Sequence, residues 1–237
     1  MLVLFDIDGT LLTGDGVGLR AMRSAGRAMF GPRFASDGVA YAGRLDPLIT
    51  DDLLAANGLT ATPEQRAELR RRYAEALRTE LASVPVRRLP GALELVESLA
   101  SAGVTLGLLT GNYEETAAMK LASAEIPIEA FEIRVWGDES PETPPHRDHL
   151  PRLAAERYLA ARGAALAADA VVIVGDTPGD VRCAVVNGHA CLAVTTGRYA
   201  AEELVREGAT RVSADLRDTS AETRWILRTL RRAAASA

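Results

Sequence analysis

Five short apolar runs, each closed by turn residues and followed by a helical pattern, constrain the fold of this chain more than any other feature. They are Leu2–Phe5 and residues 104–109, 131–136, 170–174 and 191–194. The helical stretches that follow or separate them are 91–102, 113–124, Leu150–Arg162, 179–187 and 200–208. Strands that are apolar on every residue leave no face for water, so helices must cover both sides. Strand and helix in alternation specify a parallel sheet. The expected fold is α/β, a doubly wound parallel sheet with a Rossmann-like core.

Residues 15–88 break the alternation. They read as helices at Val17–Phe30, 47–57 and Pro63–Ser83, with no convincing strand. Thr62-Pro63-Glu64-Gln65 supplies an N-cap, a proline at the first helical position and a capping-box glutamine. Gly58 ends the helix before it. The expected organisation is an α/β core of residues 1–14 and 89–237 with an all-helical cap of residues 15–88 inserted. Residues 84–90, with two prolines, form the return linker. A last helix at 221–232 is expected to pack through Trp225 and Leu230, and the terminal AAASA to fray.

Ligands of a doubly wound sheet bind at the carboxyl ends of its strands. Three such ends carry chemistry. The first run delivers Asp6 and Asp8, which share a face if strand geometry persists, and Gly9 turns the chain and exposes backbone N–H groups. The run at 104–109 ends in Thr110-Gly111-Asn112. The run at 170–174 ends in Gly175-Asp176, with Asp180 four residues on. Four converging carboxylates repel one another, and a hard divalent cation such as Mg²⁺ relieves that repulsion. A carboxylate beside Mg²⁺ and a phosphoryl group can serve as a nucleophile. A second carboxylic acid two residues on can protonate a leaving alkoxide and later activate water. The Thr110 hydroxyl and the N–H groups of Gly111 and Asn112 stand where a helix begins, a favourable place for an anion.

These three segments, Asp6-Ile7-Asp8-Gly9-Thr10, Leu109-Thr110-Gly111-Asn112 and Gly175-Asp176-Thr177-Pro178-Gly179-Asp180, resemble motifs I, II and IV of the haloacid dehalogenase-like superfamily. Residues 15–88 resemble the helical cap of its phosphoglycolate phosphatase-like branch. The resemblance implies Asp6 as nucleophile and Asp8 as general acid/base. It further implies Mg²⁺ held by Asp6, the Asp8 backbone carbonyl and Asp176, with Asp180 orienting the site. One element departs from the pattern: no Lys-Pro precedes the fourth motif. Arg147, in His146-Arg147-Asp148-His149, is the expected replacement. Lys120 lies two to three helical turns beyond Thr110, at about 1.5 Å per residue, and reads as a surface residue of its helix.

Other features have plainer readings. Thr110-Gly111-Asn112 could be an ordinary strand-to-helix turn. Asp176 and Thr177 could cap a helix, a role compatible with metal binding. In residues 41–47 (YAGRLDP), Arg44 could hold a substrate carboxylate or second phosphate, with Asp46 orienting it; equally, Asp46 could cap the next helix. His146 and His149 lack an evident third metal ligand and read as a solvated helix start. Arg70–Arg72 and Arg231–Arg232 read as solvated faces.

Composition removes several classes of function. A net charge of −5 gives no basic excess for nucleic acid or an anionic membrane. Lys120 is the only lysine among 27 basic residues; the arginine excess is a compositional habit. No run approaches the roughly 18 apolar residues of a membrane span. Met1 leads directly into a strand without a signal core, and Cys183 and Cys191 read as buried free thiols, so a cytoplasmic protein is expected. A phosphonatase needs a cap lysine, and residues 15–88 contain none. The expected function is Mg²⁺-dependent hydrolysis of a small soluble phosphate monoester through an aspartyl-phosphate. A phosphosugar mutase on the same core, or a non-catalytic phosphate-binding protein, is the alternative.

Overall fold

A computed structural model describes the backbone of residues 1–236 and side chains through Arg231. In chain order the elements are β1 (Leu2–Phe5), β2 (Leu12–Thr13), α1 (Val17–Phe30), α2 (Asp46–Ala56), α3 (Pro63–Ser83) and β3 (Arg87–Arg88). There follow α4 (Ala92–Ser101), β4 (Thr105–Leu109), α5 (Glu114–Ser123), β5 (Ile133–Val135), α6 (Leu150–Arg162) and β6 (Val171–Gly175). The chain closes with α7 (Pro178–Val186), β7 (Ala190–Val194), α8 (Ala201–Glu207), β8 (Arg211–Ser213) and α9 (Thr219–Ser236). Six strands form one parallel sheet in the order β5-β4-β1-β6-β7-β8.

β1 lies at the centre because its residues are apolar on both faces. Val3 and Phe5 enter one core, and Leu2 and Leu4 enter the other. The first core takes Leu95 and Leu99 of α4, Leu121 of α5 and Ile226 and Leu230 of α9. The second takes Leu150 of α6, Val181 and Cys183 of α7 and Leu204 of α8. Both cysteines are buried free thiols. The expected doubly wound sheet is therefore present. Because β1 pairs with β4 and β6, the carboxyl ends of all three meet at one edge.

The inserted helices lie over that edge and share the first core, with Leu53, Leu69 and Leu77 in one cluster with Phe5 and Leu121. α1 packs on α3, which buries Leu69, Tyr73, Leu77 and Leu81 at every fourth position. The Thr62–Gln65 capping box and Pro63 start α3 as expected, and Gly58 follows α2 with φ of 67°.

Three expectations change. Residues 15–88 do contain a strand: β3 pairs antiparallel with β2, making a two-stranded ribbon where the chain leaves and re-enters the core. β8 is an additional sheet edge, short and half-buried. α9 packs on the core through Leu230 and Trp225 as expected, Leu230 buried and Trp225 partly so, with Ile226 buried beside them. Arg70 is not a solvated face. It stacks over the Tyr113 ring at 4.0 Å and pairs with Glu115 and Asp138 at 2.6 Å, tying α3 to the core. Arg231 is exposed; the Arg232 side chain lies outside the described residues, and the expected fraying of residues 233–237 has no described side chains to bear on it. No helix among the described residues is long and apolar enough to cross a membrane.

Candidate active site

The three strand ends open into a cleft of about 330 Å³ between the sheet edge and the inserted helices. Asp6 continues β1, its N–H donating to the Val174 carbonyl at 2.9 Å. Asp6, Asp176 and Asp180 each place a carboxylate oxygen within 4.8 Å of the others, all three buried. Asp180 is held by its own helix start: in a capping box it accepts from the Thr177 N–H and hydroxyl at 3.0 and 2.7 Å. Helix capping and site formation are thus one arrangement. Among the described residues a single cation touches this cluster. Arg147, in a 3₁₀ turn before α6, donates from Nη2 to Asp6 at 2.8 Å, Asp180 at 2.5 Å and the Leu109 carbonyl at 3.2 Å.

The cluster is short of positive charge. Burial pushes the Asp6 carboxyl up to about 7, with Asp180 and Asp8 adding to the shift and Arg147 opposing it. Burial also raises Asp176 well above the usual carboxylate range, with Asp180 and Asp6 adding. Among the described residues its one donor is the Thr10 hydroxyl at 3.2 Å. Burial opposes the Arg147 charge, but Asp180 and Asp6 outweigh it and raise its pKa. A buried carboxylate without a cation costs several kcal/mol. An all-oxygen set of this kind suits a hard cation, and Mg²⁺ takes one or two carboxylates plus a phosphate oxygen. Asp6 and Asp176 therefore fit the metal, while Asp180 is committed to Arg147 and Thr177.

Asp8 also lines the cleft and belongs to a second network. Its Oδ2 accepts from Asn112 Nδ2 at 2.8 Å and from Lys120 Nζ at 2.7 Å. Asn112 links the parts, donating to Thr110 Oγ1 at 2.7 Å and accepting from Lys120 at 2.6 Å. Lys120 is therefore not a surface residue: it is 4% exposed and reaches the site. Side chains on a helix slope toward its N-terminus, so a long lysine two turns into α5 returns to the loop where α5 begins. Substituting Lys120 with Met leaves Asn112 Oδ1 without its donor. Urea unfolding should then show a loss of about 1–3 kcal/mol.

Gly9 also differs from expectation. Its N–H donates to the Leu12 carbonyl at 2.8 Å, and the Thr10 N–H to Ile7 at 3.3 Å, so the turn consumes both. What Gly9 provides is space: at φ 84°, a Cβ there would lie 2.3 Å from Asp176 Oδ2. The Asn112 N–H likewise meets Thr110 Oγ1 at 3.3 Å, a contact within the turn.

The loop at residues 41–47 threads between the second and fourth motifs. A Cβ on Gly111 would lie 2.0 Å from the Arg44 carbonyl oxygen, and one on Gly43 would lie 2.5 Å from Thr177 Oγ1. Arg44 lines the cleft but pairs with Asp52. Asp46 does not orient Arg44. It is the first residue of α2 and accepts from the Tyr113 N–H at 3.2 Å, docking the inserted unit on the start of α5. His146 and His149 pair with Asp148 and Glu142 respectively and join no three-residue metal cluster among the described residues.

Residues 3–184 match the model of the haloacid dehalogenase-like hydrolase family. The chain belongs to the haloacid dehalogenase-like hydrolases. No curated protein matches its sequence. Among solved structures, a hydrolase from Pseudomonas syringae superposes with a TM-score of 0.69 at 25% identity, over 95% of this chain and 98% of that one. CbbY from Rhodobacter sphaeroides, solved in complex with phosphate, gives 0.74 at 21% identity over 92% and 95%. A predicted phosphoglycolate phosphatase from Haemophilus somnus gives 0.72 at 20% identity over 94% and 97%. The fold of this haloacid dehalogenase-like hydrolase is thus that of the phosphoglycolate phosphatase-like members, with helices inserted after the first strand.

Proposed function

We propose that the protein hydrolyses a small phosphate monoester through an aspartyl-phosphate on Asp6, with Mg²⁺ held by Asp6, the Asp8 carbonyl and Asp176. One observation supports this reading: three buried carboxylates converge within 4.8 Å, and among the described residues Arg147 is the one cation in contact, touching Asp6 and Asp180 and leaving Asp176 without one. Asp6 attacks phosphorus and the ester P–O bond breaks. Asp8 gives its proton to the departing alkoxide. Water then attacks the aspartyl-phosphate while Asp8 takes a proton, releasing inorganic phosphate and restoring Asp6. Bound Mg²⁺ supplies the positive charge that lets an anionic nucleophile and an anionic phosphoryl group meet. Arg147 fixes Asp6, and the Thr110 hydroxyl and Gly111 N–H face the incoming phosphoryl oxygens. Residues 15–88 act as the cap that excludes water, turning on the β2–β3 ribbon, and the enzyme works in the cytoplasm without nucleic acid or membrane partners.

Phosphate release from p-nitrophenyl phosphate tests the reading. EDTA should suppress it at least 100-fold and Mg²⁺ should restore it; metal-independent turnover would contradict the assignment. Product analysis with a sugar 1-phosphate separates a hydrolase, which frees phosphate, from a mutase, which returns an isomer. Arg147 against Asp6 weighs against a purely binding protein, since the site does not lack a cation.

A further inference from the structure

Four cationic side chains line the cleft, and carboxylates engage three of them. Arg147 holds Asp6 and Asp180, Lys120 holds Asp8, and Arg44 holds Asp52. Arg198 pairs with no carboxylate among the described residues. Its guanidinium lies 4.9 Å from the centre of the Tyr41 ring, and Nη2 donates to the Tyr41 hydroxyl at 3.2 Å. Arg198 belongs to the core loop between β7 and α8, whereas Tyr41 belongs to the inserted unit, between α1 and α2. The pair therefore spans the two halves of the molecule at the cleft rim.

That core loop is seated against the reacting end. The Thr196 hydroxyl donates to the Gly9 carbonyl at 2.5 Å, and a Cβ on Gly197 would lie 1.8 Å from Asp176 Oδ2. Arg198 thus leaves the chain one residue from the acidic cluster and extends to the rim. Asp6 and Arg198 line the same cleft, so a substrate whose phosphoryl group sits on Asp6 would share it with this guanidinium.

We infer that Arg198, with Tyr41, determines specificity by receiving a second anionic group, carboxylate or phosphate, at the far end of the phosphate ester. The inference rests on the phosphatase reading above. A guanidinium offers two parallel N–H donors to either anion. Stacking on Tyr41 fixes its plane, and the Tyr41 O–H can turn to donate to the same group. Binding energy gained at the distal end lowers the barrier at the reacting end.

Matched esters test this. Ethyl phosphate and phosphoglycolate differ by a carboxylate, and propyl phosphate and propane-1,3-diyl bisphosphate differ by a phosphate. The native enzyme should favour the anionic member at least tenfold in kcat/KM in one pair or both, and the favoured pair identifies the anion. Arg198→Gln should lose 10- to 100-fold on that anionic ester, and at least fivefold less on its neutral partner. Tyr41→Phe should lose a smaller factor, two- to fivefold. Equal losses on both members, or native ratios near one in both pairs, overturn the inference. Absence of turnover on every ester, p-nitrophenyl phosphate included, would fell the hydrolase reading instead. Calorimetric binding to Asp6→Asn protein with Mg²⁺ then decides the subsite: Arg198→Gln must weaken phosphoglycolate more than ethyl phosphate, and equal weakening refutes it.

Discussion

Asp6→Asn is expected to lower turnover of p-nitrophenyl phosphate by on the order of 10⁴-fold or more while the protein stays folded. The size follows from the role. Removing a covalent nucleophile removes the intermediate itself, and such losses reach about 10⁶-fold in other enzymes. The fold should survive because the amide keeps the shape and its oxygen can still accept from Arg147 Nη2, now at 2.8 Å from the carboxylate. The variant also relieves a cost. Burial makes ionised Asp6 unfavourable, so metal-free Asp6→Asn should melt no lower than the metal-free native protein. Mg²⁺ should raise the melting temperature of the native protein, because a ligand that binds only the folded state stabilises it by mass action. It should raise that of Asp6→Asn much less. Phosphate release by the variant within tenfold of native would place the nucleophile elsewhere. A Mg²⁺ shift equal in both proteins would remove Asp6 from the metal site.

The central strands were legible because burial on both faces leaves a continuous apolar signature. Leu2–Phe5 and Val171–Gly175 are buried at every position. β8 carries no such mark. Arg211 and Ser213 at its ends both bond Glu222, and the strand is half-buried at the sheet edge, so its sequence reads as a loop. The β2–β3 ribbon is invisible for a related reason. Two residues a side are too few for any period, and Arg87 and Arg88 are exposed.

Strand ends also made the acids of the site legible, since each follows an apolar run directly. Lys120 was not, because distance along a helix axis misjudges a side chain that slopes back toward the N-terminus. A cue existed in its being the only lysine of the chain, eight residues beyond Asn112 on a helix that starts at the cleft. Arg198 offered no cue at all. Its place on the rim depends on how β7 carries its loop against Asp176, and on Tyr41 arriving from the inserted helices. Likewise, only packing shows that Arg44 is occupied by Asp52.

Substitution of Arg147 should lower both stability and turnover. Arg147 is 5% exposed, and its guanidinium serves Asp6, Asp180 and the Leu109 carbonyl from the core, with the Gly43 carbonyl of the inserted loop at 3.5 Å. Arg147→Met fills a similar volume but strips two buried carboxylates of the one cation that pairs with them among the described residues. Breaking a buried pair by removing one partner typically costs about 3–5 kcal/mol, so unfolding of the metal-free variant should show a loss of that size. Turnover should fall by about 10²–10³-fold, the usual effect of deleting one fixed electrostatic contact to the reacting groups. Arg147→Lys separates charge from geometry. An ammonium restores the charge, but lysine is one bond shorter than arginine, so its nitrogen falls short of the point where Nη2 meets Asp6, Asp180 and the Leu109 carbonyl, and the Nη1 contact to the Gly43 carbonyl is lost. It should recover most of the stability and only part of the rate, leaving kcat/KM about tenfold below native. Should Lys restore the rate fully, charge alone would be what the site requires. Should Met lose stability but keep its turnover per folded molecule, Arg147 would be a structural residue and the phosphoryl group would draw its positive charge from Lys120 and the metal.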